Sequence, residues 1–219
     1  MTEAAGRATR TTSTDADRSG GTQGGDGARG SSEARGSFAT VREISQLAAS
    51  IVPRAAARGV TIAVAESLTG GLVAATLVRI PGASGVLRLG VVAYATPMKQ
   101  EVLRVPAQLL AERGAVDPHV AIAMARGVRQ LAAVDRSECT IGIATTGAAG
   151  PGSQDGRPPG EFHIGLEIET TDGRVALSSS HHATGDREAV RAAALLAALR
   201  ALSSALDRTD LPMHSESTT

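Results

Sequence analysis

The sequence predicts an α/β fold, a three-layer α/β/α sandwich around a mixed β-sheet in a single domain. Two observations predict it. Short apolar, β-branched runs alternate with segments of helical spacing, the pattern of successive βα units. Two strand-like runs then follow one another, "EFHIGLEIET" (161–170) and "GRVALSSSHH" (173–182), joined by "TDG", which adds an antiparallel pair to the sheet. With 219 residues the chain is long enough to bury one core of this kind.

The elements follow in order. Residues 11–36 contain no large apolar residue, so 1–37 are expected to be a disordered arm and 38–208 the folded domain. Residues 209–219 read as a flexible tail. Val41, Ile44, Leu47, Ala48, Ile51 and Val52 have the spacing of a helix over 38–59, with Pro53 kinking it or splitting it in two and Gly59 as a stop. "VTIAVAE" (60–66) is a strand, central by its unbroken apolar character. Residues 70–80 read as a helix ended by Pro81–Gly82, and 86–96 as the next strand. Pro97 suits the first turn of a short helix, and 106–114 form another that stops at Gly114. Asp117 and Pro118 supply an N-cap and a first helical position for the segment that follows. "ECTIGIATT" (138–146) is a strand, and 186–207 a long final helix with Asp186 near its N-cap.

Composition narrows the function. The formal net charge is zero and aromatics make up 1% of the chain, so neither electrostatic attraction to nucleic acid nor stacking on single strands is expected. No apolar run is read as long enough to span a bilayer, and no signal peptide is recognised, so a cytoplasmic protein is expected. Cys139 is the only cysteine, which excludes an internal disulfide and a multi-cysteine zinc site. The histidines lack the H-x-x-x-H spacing of a helical zinc site, and no metal or cofactor is expected. His163, His181 and His182 fall on strands, where packing or solvent accounts for them.

Three loops fall where strands end, the place where open α/β sheets bind ligands. They are "ESLTGG" (66–71), "YATPMK" (94–99) and "TTGAAGPG" (145–152). Ser67 and Thr69 can be read as helix caps or as reactive hydroxyls. Lys99 is the only lysine and Tyr94 the only tyrosine. A lysine kept among so many arginines suits a place that needs an amine able to lose its proton. Ser67 needs a neighbouring base, and a desolvated lysine can be one. The N–H groups of Gly70, Gly71 or Gly147 are candidate oxyanion donors. "TGDREAVR" (184–191) reads either as a capped helix with a solvated arginine face or as an anion site.

Taken together, "AESLTGG", "YATPMK", "RGAV" (113–116), "TTGAAGP" and "GDREAVR" resemble the CinA carboxyl-terminal domain family, the nicotinamide mononucleotide (NMN) deamidases. The resemblance runs over roughly residues 41–206. It implies an amidohydrolase with Ser67 as nucleophile, Lys99 as its partner and Tyr94 assisting. It also implies a nucleotide-binding role for Thr145 or Thr146 and for Arg187. Glu66, Thr69, Gly70, Gly71 and Gly147 complete the candidate substrate-binding set. The expected partner is the small nucleotide NMN, in a homodimer or larger homo-oligomer, with no nucleic acid and no membrane. The alternative is a nucleotide-binding module of the same fold without turnover.

Overall fold

The computed structural model describes residues 26–212, with side chains from Thr40 onward. Residues 1–25 and 213–219, most of the expected arm and tail, lie outside the described residues. The chain divides into two units at Ser37/Phe38. In the first unit residues 26–37 are helical backbone, where an unstructured arm is expected. They contain no proline, and several of their residues (Ala28, Glu33, Ala34, Arg35) are good helix formers.

The second unit is the domain. Helix α1 is continuous over Asp26–Ala57 and passes through Pro53 without ending, so the proline does not split it. Then come β1 (Ile62–Glu66), α2 (Leu72–Val78), a 3₁₀ turn (Ala83–Gly85) and β2 (Leu87–Val92). Helices α3 (Thr96–Glu101), α4 (Ala107–Arg113) and α5 (Pro118–Leu131) lead to β3 (Ile141–Gly147). Strands β4 (Glu161–Thr170) and β5 (Gly173–His182) and helix α6 (Arg187–Leu206) complete it. The expected order of elements holds throughout. The boundaries of β2 and α2 are tighter than expected, because the residues beyond them turn into the loops described below.

The sheet runs β2-β1-β3-β4-β5. β1 is parallel to both of its neighbours, and β4 and β5 add on antiparallel, which is the expected mixed sheet. β1 and β3 are buried along their whole length, as their unbroken apolar character requires.

Side-chain alternation divides the core into two layers. Ile62, Val64, Ile141, Ile143, Phe162, Ile164, Leu166 and Ile168 face the layer that contains Ile51, Val73, Leu77, Leu195 and Leu199 from α1, α2 and α6. Ala63, Ala65 and Ala144 face the other layer with Val120, Met124 and Val128 of α5. The second layer is thin. A β-carbon on Gly165 would lie 2.2 Å from the Ala121 backbone, and one on Gly142 would lie 2.1 Å from the Ala125 carbonyl. These glycines let α5 sit directly on β3 and β4.

Helix α6 corrects one expectation: by length and composition it is apolar enough to cross a membrane. Its apolar character serves packing here, since Val190, Ala194, Leu195, Ala198, Leu199 and Leu202 are buried in the first layer.

Candidate active site

The three parallel strands end together. Glu66 pairs in register with Val92 on one side and Thr145 on the other, so the loops that follow β2, β1 and β3 leave the sheet at one edge. This is the carboxyl edge, where ligand sites gather. The N-terminus of α6 reaches the same edge.

Glu66 and the glycines set the local geometry. The β1 carboxylate accepts hydrogen bonds from the backbone N–H groups of Gly71 (2.9 Å), Val73 (3.1 Å) and Ala74 (2.9 Å). Helix α2 has no acidic residue in its first turn and no capping side chain at its N-cap, Gly71. Its orphan donors are satisfied instead by the carboxylate at the end of the preceding strand. Gly70 (φ 60°) and Gly71 (φ 98°) take left-handed conformations that make this tight return possible. Neither Ser67 nor Thr69 caps the helix.

This arrangement leaves Ser67 with another partner. The Lys99 Nζ lies 3.1 Å from the Ser67 Oγ, 2.9 Å from the Ala93 carbonyl and 3.3 Å from the Tyr94 carbonyl. Lys99 is 1% exposed and Ser67 8%. Burial strips the ammonium of water and lowers its pKa to about 8, and the Asp155 carboxylate acts weakly in the opposite direction. The two carbonyls can only accept. A neutral amine has two hydrogens and one lone pair, so once Lys99 loses its proton the two N–H bonds are directed to Ala93 and Tyr94 and the lone pair to Ser67.

The remaining candidates divide into two groups. Tyr94 and Arg187 belong to the mouth of the site. The Arg187 Nη2 donates to the Tyr94 Oη at 2.6 Å and its Nη1 to the Gly150 carbonyl at 2.9 Å, so the guanidinium bridges two loops. The Tyr94 phenol is therefore on Arg187, and it is the Tyr94 backbone that touches Lys99. Gly147, Ala148 and Gly150 line a narrow cavity of about 90 Å³ together with Ser67, Leu68, Tyr94 and Arg187.

Thr69, Thr145 and Thr146 are buried beneath it. The Thr69 and Thr145 hydroxyls lie 2.7 Å apart, and Thr146 donates to the Ala115 carbonyl at 2.6 Å. They and Glu66 do not line the cavity; they hold its floor. The N–H groups of Gly70 and Gly71 are likewise engaged, by the Ser67 carbonyl and by Glu66, and are not free for an oxyanion. The reason is the capping carboxylate, which sequence spacing alone does not reveal.

Two contacts escaped the sequence reading, one of them at Arg191, which the sequence reads as part of a solvated arginine face or an anion site. Arg191 donates from Nε to the Leu68 carbonyl and from Nη2 to the Thr69 carbonyl, both at 3.1 Å. The carbonyls of Ala93 and Tyr94 hold Lys99 in place. The available signals were an apolar helix start with no cap of its own and an arginine one turn into α6.

The described histidines stay out of the site. His163 is buried with its Nδ1 2.9 Å from the Ser180 hydroxyl, and His181 stacks on Phe162. A wider hollow of about 840 Å³ lies against α4, lined by Arg113, Asp117, Asp155 and Arg157 among others. It contains neither Ser67 nor Lys99, so the narrow cavity is the one with nucleophile chemistry.

Known proteins match over the same region. The family model of the CinA C-terminal domain matches residues 44–206. A CinA-like protein of Frankia casuarinae is 47% identical over 142 residues, 65% of this chain and 31% of that protein. A CinA-like protein of an Anaeromyxobacter species is 45% identical over 162 residues, 74% of this chain and 37% of that protein. The chain thus spans about a third of the length of these relatives. Among solved structures, the competence damage-inducible protein A of Klebsiella pneumoniae superposes with a TM-score of 0.69 at 33% identity, covering 76% of this chain and 99% of that one. The competence/damage inducible protein of Agrobacterium tumefaciens gives 0.68 at 32% identity, covering 76% of this chain and 96% of that one. With its motifs gathered at one sheet edge and the family model matching from within α1 to the end of α6, the chain belongs to the CinA C-terminal domain family.

Proposed function

We propose that this domain is an amidohydrolase that converts NMN and water to nicotinate mononucleotide and ammonia. One observation carries the reading: a serine hydroxyl and a buried, desolvated lysine amine 3.1 Å apart, with two carbonyls orienting the amine. A binding module has no use for such a pair.

In the first step the Ser67 Oγ attacks the carboxamide carbon while its proton passes to neutral Lys99. The tetrahedral intermediate collapses as the C–N bond breaks, and Lys99 returns the proton to the departing nitrogen, which leaves as ammonia. Water then attacks the acyl-serine ester, again giving its proton to Lys99. This releases the nicotinate nucleotide and restores Ser67. With a pKa of about 8, roughly a tenth of Lys99 is neutral at pH 7, enough to act as base while the protonated form remains a competent acid.

The narrow cavity takes the carboxamide end of the substrate. Arg187 and Tyr94 at its mouth meet the nucleotide portion, the guanidinium serving the phosphate. The test is ammonia release from NMN by purified protein between about pH 6 and about pH 10, with nicotinate mononucleotide formed in equal amount. NMN that binds and is recovered unchanged would favour the non-catalytic module. Ammonia released only from other amides would move the assignment to a different substrate.

A further inference from the structure

The turn after Ser67 contains two buried donors that the protein leaves unused, and one of them lies at the cavity. The N–H groups of Gly70, Gly71, Leu72, Val73 and Ala74 donate to the Ser67 carbonyl, Glu66, the Thr69 carbonyl and Glu66 twice more. The Ser67 N–H donates to the Thr145 carbonyl at 3.0 Å. Among the described residues the N–H groups of Leu68 and Thr69 have no acceptor, although Leu68 is only 3% exposed and Thr69 0%; of the two residues, Leu68 is the one that lines the cavity. Buried backbone donors without a partner are rare, and one next to a nucleophile in a cavity points to a ligand atom. Leu68 lines the same cavity as Ser67.

Both peptide units that flank Leu68 are pinned. The N–H of a trans peptide points opposite to its carbonyl. The Ser67 carbonyl accepts from the Gly70 N–H at 3.1 Å, which fixes the direction of the Leu68 N–H. The Leu68 carbonyl is fixed in turn by the Arg191 Nε, and the Thr69 carbonyl by its Nη2. Arg191 spends its third nitrogen, Nη1, on Glu188 at 2.5 Å. With all three nitrogens engaged by protein acceptors, Arg191 is not read as an anion site. It is a brace.

We propose that the Leu68 N–H is an oxyanion donor for acyl transfer to Ser67 and that Arg191 is the positioning residue that holds it in place. The proposal rests on the nucleophilic reading of Ser67 but not on NMN as the substrate. A rigid donor aimed at developing charge acts on the transition state and not on ground-state binding, so its disturbance lowers kcat and leaves KM alone.

The experiment compares wild type with Arg191→Ala and Glu188→Gln, using two readouts. The first is steady-state hydrolysis of NMN. The second is the rate at which a fluorophosphonate labels Ser67, followed by mass spectrometry. In that reaction Ser67 Oγ bonds to phosphorus, fluoride leaves and Lys99 takes the proton, so it needs the oxyanion donor but no nucleotide. Arg191→Ala is expected to lower both kcat and the labelling rate by about 10²-fold with KM within about twofold. Guanidinium chloride at about 20 mM, far below denaturing concentrations, is expected to restore part of both, and sodium chloride to restore neither. Glu188→Gln leaves the two carbonyl contacts in place and is expected to match wild type.

Labelling of wild type without NMN turnover would remove the substrate assignment and leave this proposal standing. Equal labelling rates in wild type and Arg191→Ala would overturn it. So would no labelling of wild-type Ser67, or a loss in Arg191→Ala that appears as raised KM or as unfolding with no guanidinium rescue.

Discussion

At the scale of single residues the chemistry rests on which atom can take a proton from Ser67. Among the described residues, Lys99 is the only basic nitrogen hydrogen-bonded to it. Arginine at this position keeps the positive charge but stays protonated at any working pH. Lys99→Arg is therefore expected to lose about 10²–10⁴-fold in kcat, approaching the residual rate of Ser67→Ala, with NMN still bound. Steady-state kinetics with a binding titration of each variant check this; near-normal turnover would leave Ser67 in need of a different base. The pair itself was legible in the sequence, because a single lysine and a single tyrosine stand out by composition. The role of Tyr94 was not. Its phenol is engaged by Arg187, a contact across 93 positions that no local pattern encodes.

At the scale of elements, the link between β1 and α2 decides the site's shape. Glu66 sits in the motif that the sequence assigns to substrate binding. Its carboxylate is instead the N-terminal cap of α2, accepting three backbone hydrogen bonds while 1% exposed. Glu66→Ala removes the shared acceptor and leaves three donors without a partner. The expected loss is about 2–4 kcal/mol of folding stability, read from urea unfolding, together with loss of turnover as the Ser67 turn relaxes. Unchanged stability would mean that water caps the helix equally well. The strands and helices themselves followed from periodicity and capping residues: β4 and β5 have the expected bounds, and Asp117 and Asp186 cap α5 and α6 as read. The extent of α1 did not follow, since a charged, glycine-bearing segment gives no apolar period to detect.

At the scale of the whole molecule, the buried lysine trades stability for function. Its folded pKa of about 8 lies below the ordinary value of 10.5, so the unfolded chain holds the proton more tightly. Below pH 8 both states are protonated and the folded state bears the full cost of burying the charge, about 3 kcal/mol. That cost disappears as the pH rises from 8 to 10.5. Lys99→Met, which buries a side chain of similar length with no charge, is thus expected to gain stability relative to wild type at pH 7. Denaturant unfolding at the two pH values should show the gain shrinking by about pH 10. A gain that does not change with pH would assign it to packing alone.

The most direct test of the central claim, that Lys99 is the base for Ser67, uses the fact that the chain has one lysine. Protein labelled at lysine Cε gives one side-chain signal, whose shift follows protonation of Nζ with no substrate present. The account predicts a titration midpoint near 8, the same midpoint in the rising limb of kcat/KM for NMN, and loss of that limb in Lys99→Arg. A lysine signal that titrates near the ordinary value of 10.5 while activity rises at a different pH would contradict it.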